Sequence, residues 1–143
     1  MTTLTSANSK LAISIASVFP TPQPIQGFAT DDAFDTDNVA PNETLMGVDG
    51  KLSGGYTPYP VKLKIVLQAD SPSNAVFDTW RQAMDQATDS FPCDVTIVAP
   101  SLGKIFTFTR GFLTGDMPTP PGKKIFQPQT YEITFQNVSA APV

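Results

Sequence analysis

Between Asp70 and Phe91 the apolar residues recur at helical spacing, a pattern that no other stretch of the chain carries convincingly. Val76, Phe77, Trp80, Ala83, Met84, Ala87 and Phe91 form one stripe, while Asp78, Arg81, Gln82, Asp85 and Asp89 take the opposite side. Ser71 is placed to cap the first turn, Pro72 suits the first helical position, and Pro92 stops the segment, which predicts a helix over about 72–91. Phe77, the single Trp80 and Met84 are the core residues of this helix, each worth about 1.5 to 3 kcal/mol on full burial. Such a stripe must be covered, and the flanking segments supply strands.

Leu11 to Ser17 places Leu11, Ile13 and Ile15 on one face, a short strand. Pro20, Pro22 and Pro24 follow, and prolines at alternate positions make an extended connector or a sheet edge. Val61 to Leu67 alternates cleanly, with Lys62 and Lys64 outward, and feeds straight into the helix. Cys93–Ala99 and Lys104–Phe112 read as a hairpin around Pro100–Gly103, and Thr130–Val138 alternates again. Between them, residues 117–122 form a proline-rich loop. The expected fold is mostly β with one α-helix: two packed antiparallel sheets of five to seven strands, sandwich-like or barrel-like, flanked by the helix. At 143 residues this is a single domain, 1–143, with extended arms at 1–10 and 139–143.

From about residue 29 to 55 the apolar pattern loosens into a long acidic loop or hairpin. Asp31, Asp32, Asp35, Asp37, Glu43 and Asp49 lie here with no base before Lys51. Gly47-Val48-Asp49-Gly50 is a tight-turn signal, with strands expected at Glu43–Val48 and Lys51–Tyr56. A stretch this long and this poor in apolar residues has little to bury within its own domain, so it is expected to contact other subunits. Asp35, Asp37, Glu43, Asp49, Lys51, Lys62 and Lys64 are the candidate interface residues. The acidic side chains need water or bases, and Lys51, Lys62, Lys64, Lys123 and Lys124 of other copies can serve.

Charge and composition argue against several functions. Nine basic against thirteen acidic residues give a net charge of −4, the wrong sign for gripping nucleic-acid phosphates. The chain has no histidine, the commonest general base and metal ligand. Asp35-x-Asp37 resembles the opening of a calcium loop, but the glycine and glutamate of that motif are not at the required spacing. Asp85 and Asp89 could act as an acid–base pair, yet they sit on the wet face of the helix. Phe106, Phe108 and Phe112 beside Arg110 could stack bases, but at near-alternate positions they read more simply as one packed strand face. Phosphate-binding loops, nucleophile elbows and cysteine clusters are absent, so no catalytic, cofactor-binding or metal residue is expected. Cys93, in an apolar strand, reads as an inert buried thiol. The N-terminus lacks a basic region before its short apolar run, so neither a leader nor a membrane anchor is expected.

With Gly47-x-Asp49-Gly50, the strand from Val61, the run Leu67-Gln68-Ala69-Asp70-Ser71-Pro72-Ser73-Asn74 and the closing strand from Tyr131, the chain resembles contractile-phage tail tube proteins. That family is similar to type VI secretion tube proteins. The resemblance covers roughly Phe28 to Val138; the alternating prolines at 20–24 and the Pro118, Pro120, Pro121 cluster depart from it. It implies a structural virion protein, not an enzyme, assembling as hexameric rings that stack into the inner tube of a contractile tail. That tube is a conduit for DNA ejection, built in the host cytoplasm. Implied partners are further copies, sheath, baseplate and terminator proteins, and a tape measure protein and DNA that pass the lumen without tight binding. The alternatives are another tail component, such as a terminator or baseplate tube-initiator, and a β-sandwich module that binds ligand through Tyr56 and Tyr59.

Overall fold

In the computed structural model, which describes residues 9–28 and 34–142, the chain runs β1 (Lys10–Ile15), β2 (Phe19–Ile25), β3 (Phe34–Thr36), β4 (Asn42–Met46), β5 (Leu52–Tyr56), β6 (Val61–Leu67), α1 (Asn74–Ala87), β7 (Cys93–Ala99), β8 (Lys104–Gly115) and β9 (Gln129–Pro142). The fold is mostly β with one helix and two antiparallel sheets, as the periodicity predicts. The sheets are unequal: one has seven strands in the order β2-β1-β7-β8-β9-β6-β3, the other is the β4–β5 hairpin. Nine strands among the described residues exceed the five to seven expected, because β3 is too short for an alternation to register and β2 is strand rather than connector. Residues 1–8 of the expected N-terminal arm, Asp31 and Asp32 of the acidic stretch, and Val143 lie outside the described residues. Residues 139–142, expected as an arm, continue β9 and pair with β8 as far as Pro142 opposite Lys104.

The prolines of β2 settle its place. Alternate residues of a strand point their N–H groups to the same side, so Pro20, Pro22 and Pro24 lose their donors along one edge only. The other edge pairs with β1, from Leu11 opposite Ile25 to Ile15 opposite Phe19. The free edge of β2 is thereby blunted against further pairing. The chain leaving β2 then crosses to β6: Gly27 accepts a hydrogen bond from the Gln68 amide at 2.8 Å, and Phe28 bridges Leu67. This tie curls the large sheet towards closure.

One face of the curled sheet holds the core. Ile13 and Ile15 of β1, Leu63 and Ile65 of β6, Val95 of β7 and Ile133 of β9 are all fully buried there, in one cluster with Phe77 and Trp80 of α1. Phe77 stacks on Tyr131 at 4.0 Å between ring centroids. The Trp80 indole N–H donates to the Phe91 carbonyl at 3.0 Å, which satisfies its polar edge in an apolar site. Met84 is partly buried against this cluster, whereas Ala87 is exposed and lies outside the helical stripe.

The helix is shorter than expected, and its cap differs. Ser73 is the N-cap residue, and no side chain caps the helix. Ser71 Oγ instead accepts from the Ser73 amide at 3.2 Å and donates to the Gln26 carbonyl. Ser73 Oγ accepts from the Gln26 amide at 2.8 Å. Both hydroxyls therefore tie the helix start to the end of β2. At the other end the helix stops before Pro92, at Thr88, whose left-handed φ of 53° lets the Asp89 amide reach the Met84 carbonyl at 3.3 Å.

A bulge corrects one further expectation. Arg110 has φ 50° and its amide donates to Asp94 Oδ1 at 2.9 Å, while the β7–β8 register shifts between Cys93 and Val95. One extra residue moves every later side chain to the other face. Phe108 is buried on the core side, but Gly111 and Leu113 continue that side and Phe112 does not. The Arg110 guanidinium lies 5.7 Å from the centre of the Phe112 ring. The three phenylalanines do not form one face.

Candidate assembly surfaces

The hairpin β4–β5 is fixed by the turn chemistry of its own sequence. The Gly50 amide donates to the Gly47 carbonyl at 3.0 Å, the Gly47 amide to the Lys51 carbonyl at 2.9 Å, and the Lys51 amide to Asp49 Oδ1 at 3.1 Å. At its base the Thr57 amide donates to the Pro41 carbonyl at 2.9 Å. Every residue from Asp35 to Tyr56 is exposed, including Leu45, Met46, Val48, Leu52 and Tyr56. Met46 pairs with Leu52, and alternation puts Tyr56 on their face, so the hairpin carries an apolar side with nothing of its own subunit against it. An isolated two-stranded sheet is marginal in water.

The seven candidate interface residues fall into two groups. Glu43, Asp49 and Lys51 are on the hairpin. Asp35, Asp37, Lys62 and Lys64 come together on the outer side of the β3–β6 pair: Asp35 lies opposite Lys64, and the Asp37 amide donates to the Lys62 carbonyl at 3.3 Å. Lys62 is engaged within its own chain, with Nζ 3.4 Å from Glu132. Glu132 is 70 residues away in sequence, so local reading could not find it. Beneath β3, a groove of about 300 Å³ is lined by Phe34, Leu63, Phe106, Phe108 and Val138.

At the opposite end of β6 the proline-rich loop between β8 and β9 forms a second exposed feature. Its base is clamped: Arg81 of α1 holds Asp116 at 2.5 Å, and Gln129 Nε2 donates to the Met117 carbonyl at 2.9 Å. The Asp116 carboxylate, with help from Asp78, raises the Arg81 pKa against the opposing effect of burial. At its tip the Gln127 amide donates to the Pro121 carbonyl at 3.1 Å and Gly122 bridges Phe126, with Ile125 and Phe126 exposed.

Other titratable groups lie in the core. Burial, and after it Asp94, raises the Cys93 thiol pKa, so a buried thiolate is disfavoured. Asp85 and Asp89 are exposed. Among the described residues no three His, Cys, Asp or Glu side chains gather as a metal site, and no helix is long and apolar enough to cross a membrane.

The family described as Tail fiber protein gp32 matches residues 2–139. The chain belongs to the tail fiber protein gp32 family. No curated protein matches it. Among solved structures, a chain from the sheath/tube terminator of the extracellular contractile injection system PVC, in its extended state, has a TM-score of 0.68 at 9% identity, over 99% of this chain and 98% of that one. A chain of the anti-feeding prophage (AFP) baseplate matches with TM-score 0.60 at 15% identity, over 100% and 98%. A chain of the PVC sheath–tube complex matches with TM-score 0.60 at 9% identity, over 94% and 89%. At these identities the likeness is one of fold. This gp32-family member is thus a tail protein with a fold found in contractile injection systems.

Proposed function

We propose that this gp32-family protein is a structural tail subunit that closes into a ring at an end of the tail tube, as a terminator or baseplate ring. The observation that carries the reading is the overlap with the PVC terminator chain, 99% of one on 98% of the other at a TM-score of 0.68. The β4–β5 hairpin supports it, because its apolar side is unused within the subunit. Asp35, Asp37, Glu43, Asp49, Lys51, Lys62 and Lys64 then act at contacts between copies. The ring is a hexamer in a virion tail, assembled in the host cytoplasm, and it meets tube, sheath and baseplate proteins. Tape measure protein and DNA pass its lumen. A net charge of −4 per subunit suits a passage that repels phosphate and lets a duplex slide.

Negative-stain microscopy of the purified protein tests the reading. Closed rings of one size that do not elongate are expected. Long hollow tubes would make the chain the repeating tube subunit, rods without a lumen would make it a fiber, and a monomer at all concentrations would favour a binding module. Duplex DNA is expected to bind the rings weakly. A tight complex that loosens steeply with salt would contradict a sliding passage.

A further inference from the structure

We propose that the tip of the β8–β9 loop, Lys123-Lys124-Ile125-Phe126, docks the protein on an anionic phospholipid surface. The site is complete within one chain, so it stands independently of the ring reading.

Residues 122–126 are exposed one after another, with Ile125 at 76% and Phe126 at 65%. Two large apolar side chains in succession thus face water with nothing of their own subunit over them. Lys123 and Lys124 precede them, and neither forms an ion pair among the described residues. Two bases followed by two apolar residues suit the edge of a bilayer. The apolar pair enters the acyl boundary, while the ammonium groups, on long flexible stems, stay at the lipid phosphates.

The loop holds this tip in shape. The Gln127 amide donates to the Pro121 carbonyl at 3.1 Å, Gly122 bridges Phe126, and Arg81 anchors Asp116 at the base. Pro118, Pro120, Pro121 and Pro128 restrict the backbone between these ties. A tip already ordered loses little conformational entropy on docking.

Area separates a bilayer from a protein partner. A specific protein interface takes about 800 Å² from each side, contributed by about 20 to 30 residues. Four consecutive side chains fall far short of that, whereas hydrocarbon accepts them without a matching shape. The net charge of −4 opposes docking on an anionic surface. Local charge decides a contact this small, because salt screens charges more than about 8 Å away. Of the acids beside the loop, Asp116 is spent on Arg81. Asp70, which lines one groove with Ile125 and Phe126, forms no ion pair among the described residues and weakens the attraction.

Sedimentation of the purified full chain with lipid vesicles tests the proposal, comparing phosphatidylglycerol mixed into phosphatidylcholine with phosphatidylcholine alone. Binding to the mixed vesicles is expected to be about tenfold tighter, and to weaken with added salt. Lys123→Gln/Lys124→Gln and Ile125→Ser/Phe126→Ser should each lose about tenfold in binding. Both should melt like the wild type, because all four side chains are exposed. Asp70→Asn should bind more tightly. Phe126→Trp puts a fluorophore at the tip, and its emission should move to the blue on mixed vesicles, with Trp80 already buried as a constant background. Equal binding to both vesicle types, an unmoved Phe126→Trp emission, or variants that bind like the wild type would overturn the proposal. Binding abolished by free glycerol phosphate would overturn it in favour of a headgroup-phosphate site. Association between protein molecules that needs the same four residues, with no vesicle binding, would overturn it in favour of a protein contact.

Discussion

The Tyr131 hydroxyl donates to Asn74 Oδ1 at 2.9 Å inside the protein, joining the last strand to the first turn of the only helix among the described residues. Asn74 uses its other end as well: Nδ2 lies 3.0 Å from the Gln68 carbonyl and 3.3 Å from that of Ala69. One side chain thus fixes the helix start, the end of β6 and β9 together. Tyr131→Phe keeps the stacking on Phe77 but strands a buried carbonyl oxygen. The expected cost is about 1 to 3 kcal/mol in urea unfolding, without loss of helix by circular dichroism.

Trp80 is fully buried among sheet side chains, and its indole N–H is spent on the Phe91 carbonyl. Trp80→Ala removes the largest buried side chain and leaves that carbonyl without its donor. The expected destabilisation is about 3 to 5 kcal/mol, with folding impaired before assembly. A loss under about 1 kcal/mol would remove the helix from the core.

Gly111 follows the bulge, where a Cβ would meet the Phe135 ring and lie 2.8 Å from Ile133 Cγ2. These are packed ring and branched side chains rather than flexible ends. Gly111→Ala is expected to cost about 1 to 3 kcal/mol by overpacking, read as a lowered melting temperature. Gly50→Ala would strain a left-handed turn with open space around it, so its effect belongs to the hairpin and to assembly rather than to the core.

Two buried acids make the fold sensitive to alkali. Burial, then the charge of Asp94, raises Cys93 above its ordinary 9.0, and burial, then Asp78 and Asp116, raises Tyr131 above its ordinary 10.0. The folded state therefore holds both protons at a pH where the unfolded chain releases them. Stability from these groups is intact below 9.0 and falls as pH rises above it, first through Cys93 and then through Tyr131. Denaturant unfolding across this range should show the decline. Cys93→Ala should flatten its first part and Tyr131→Phe its second.

The sequence by itself determined the elements whose signal is local. Val61–Leu67 and Cys93–Ala99 appear with the bounds their alternation predicts, because a period of two needs only neighbouring residues to be read. The Asp49-Gly50 turn placed the hairpin for the same reason. The tertiary structure decided what depends on distant partners. It made Pro20–Pro24 an edge strand, set β8 between β7 and β9, and turned Phe112 away from Phe108 through a bulge held by Asp94. It sent the hydroxyls of Ser71 and Ser73 to Gln26, and it engaged Lys62 with Glu132. It also placed Ile125 and Phe126 at the far end of β6 from the hairpin. Sheet order, register slips and long-range polar pairs are chosen by which distant strands bury the most apolar surface together, and a local pattern does not carry that choice.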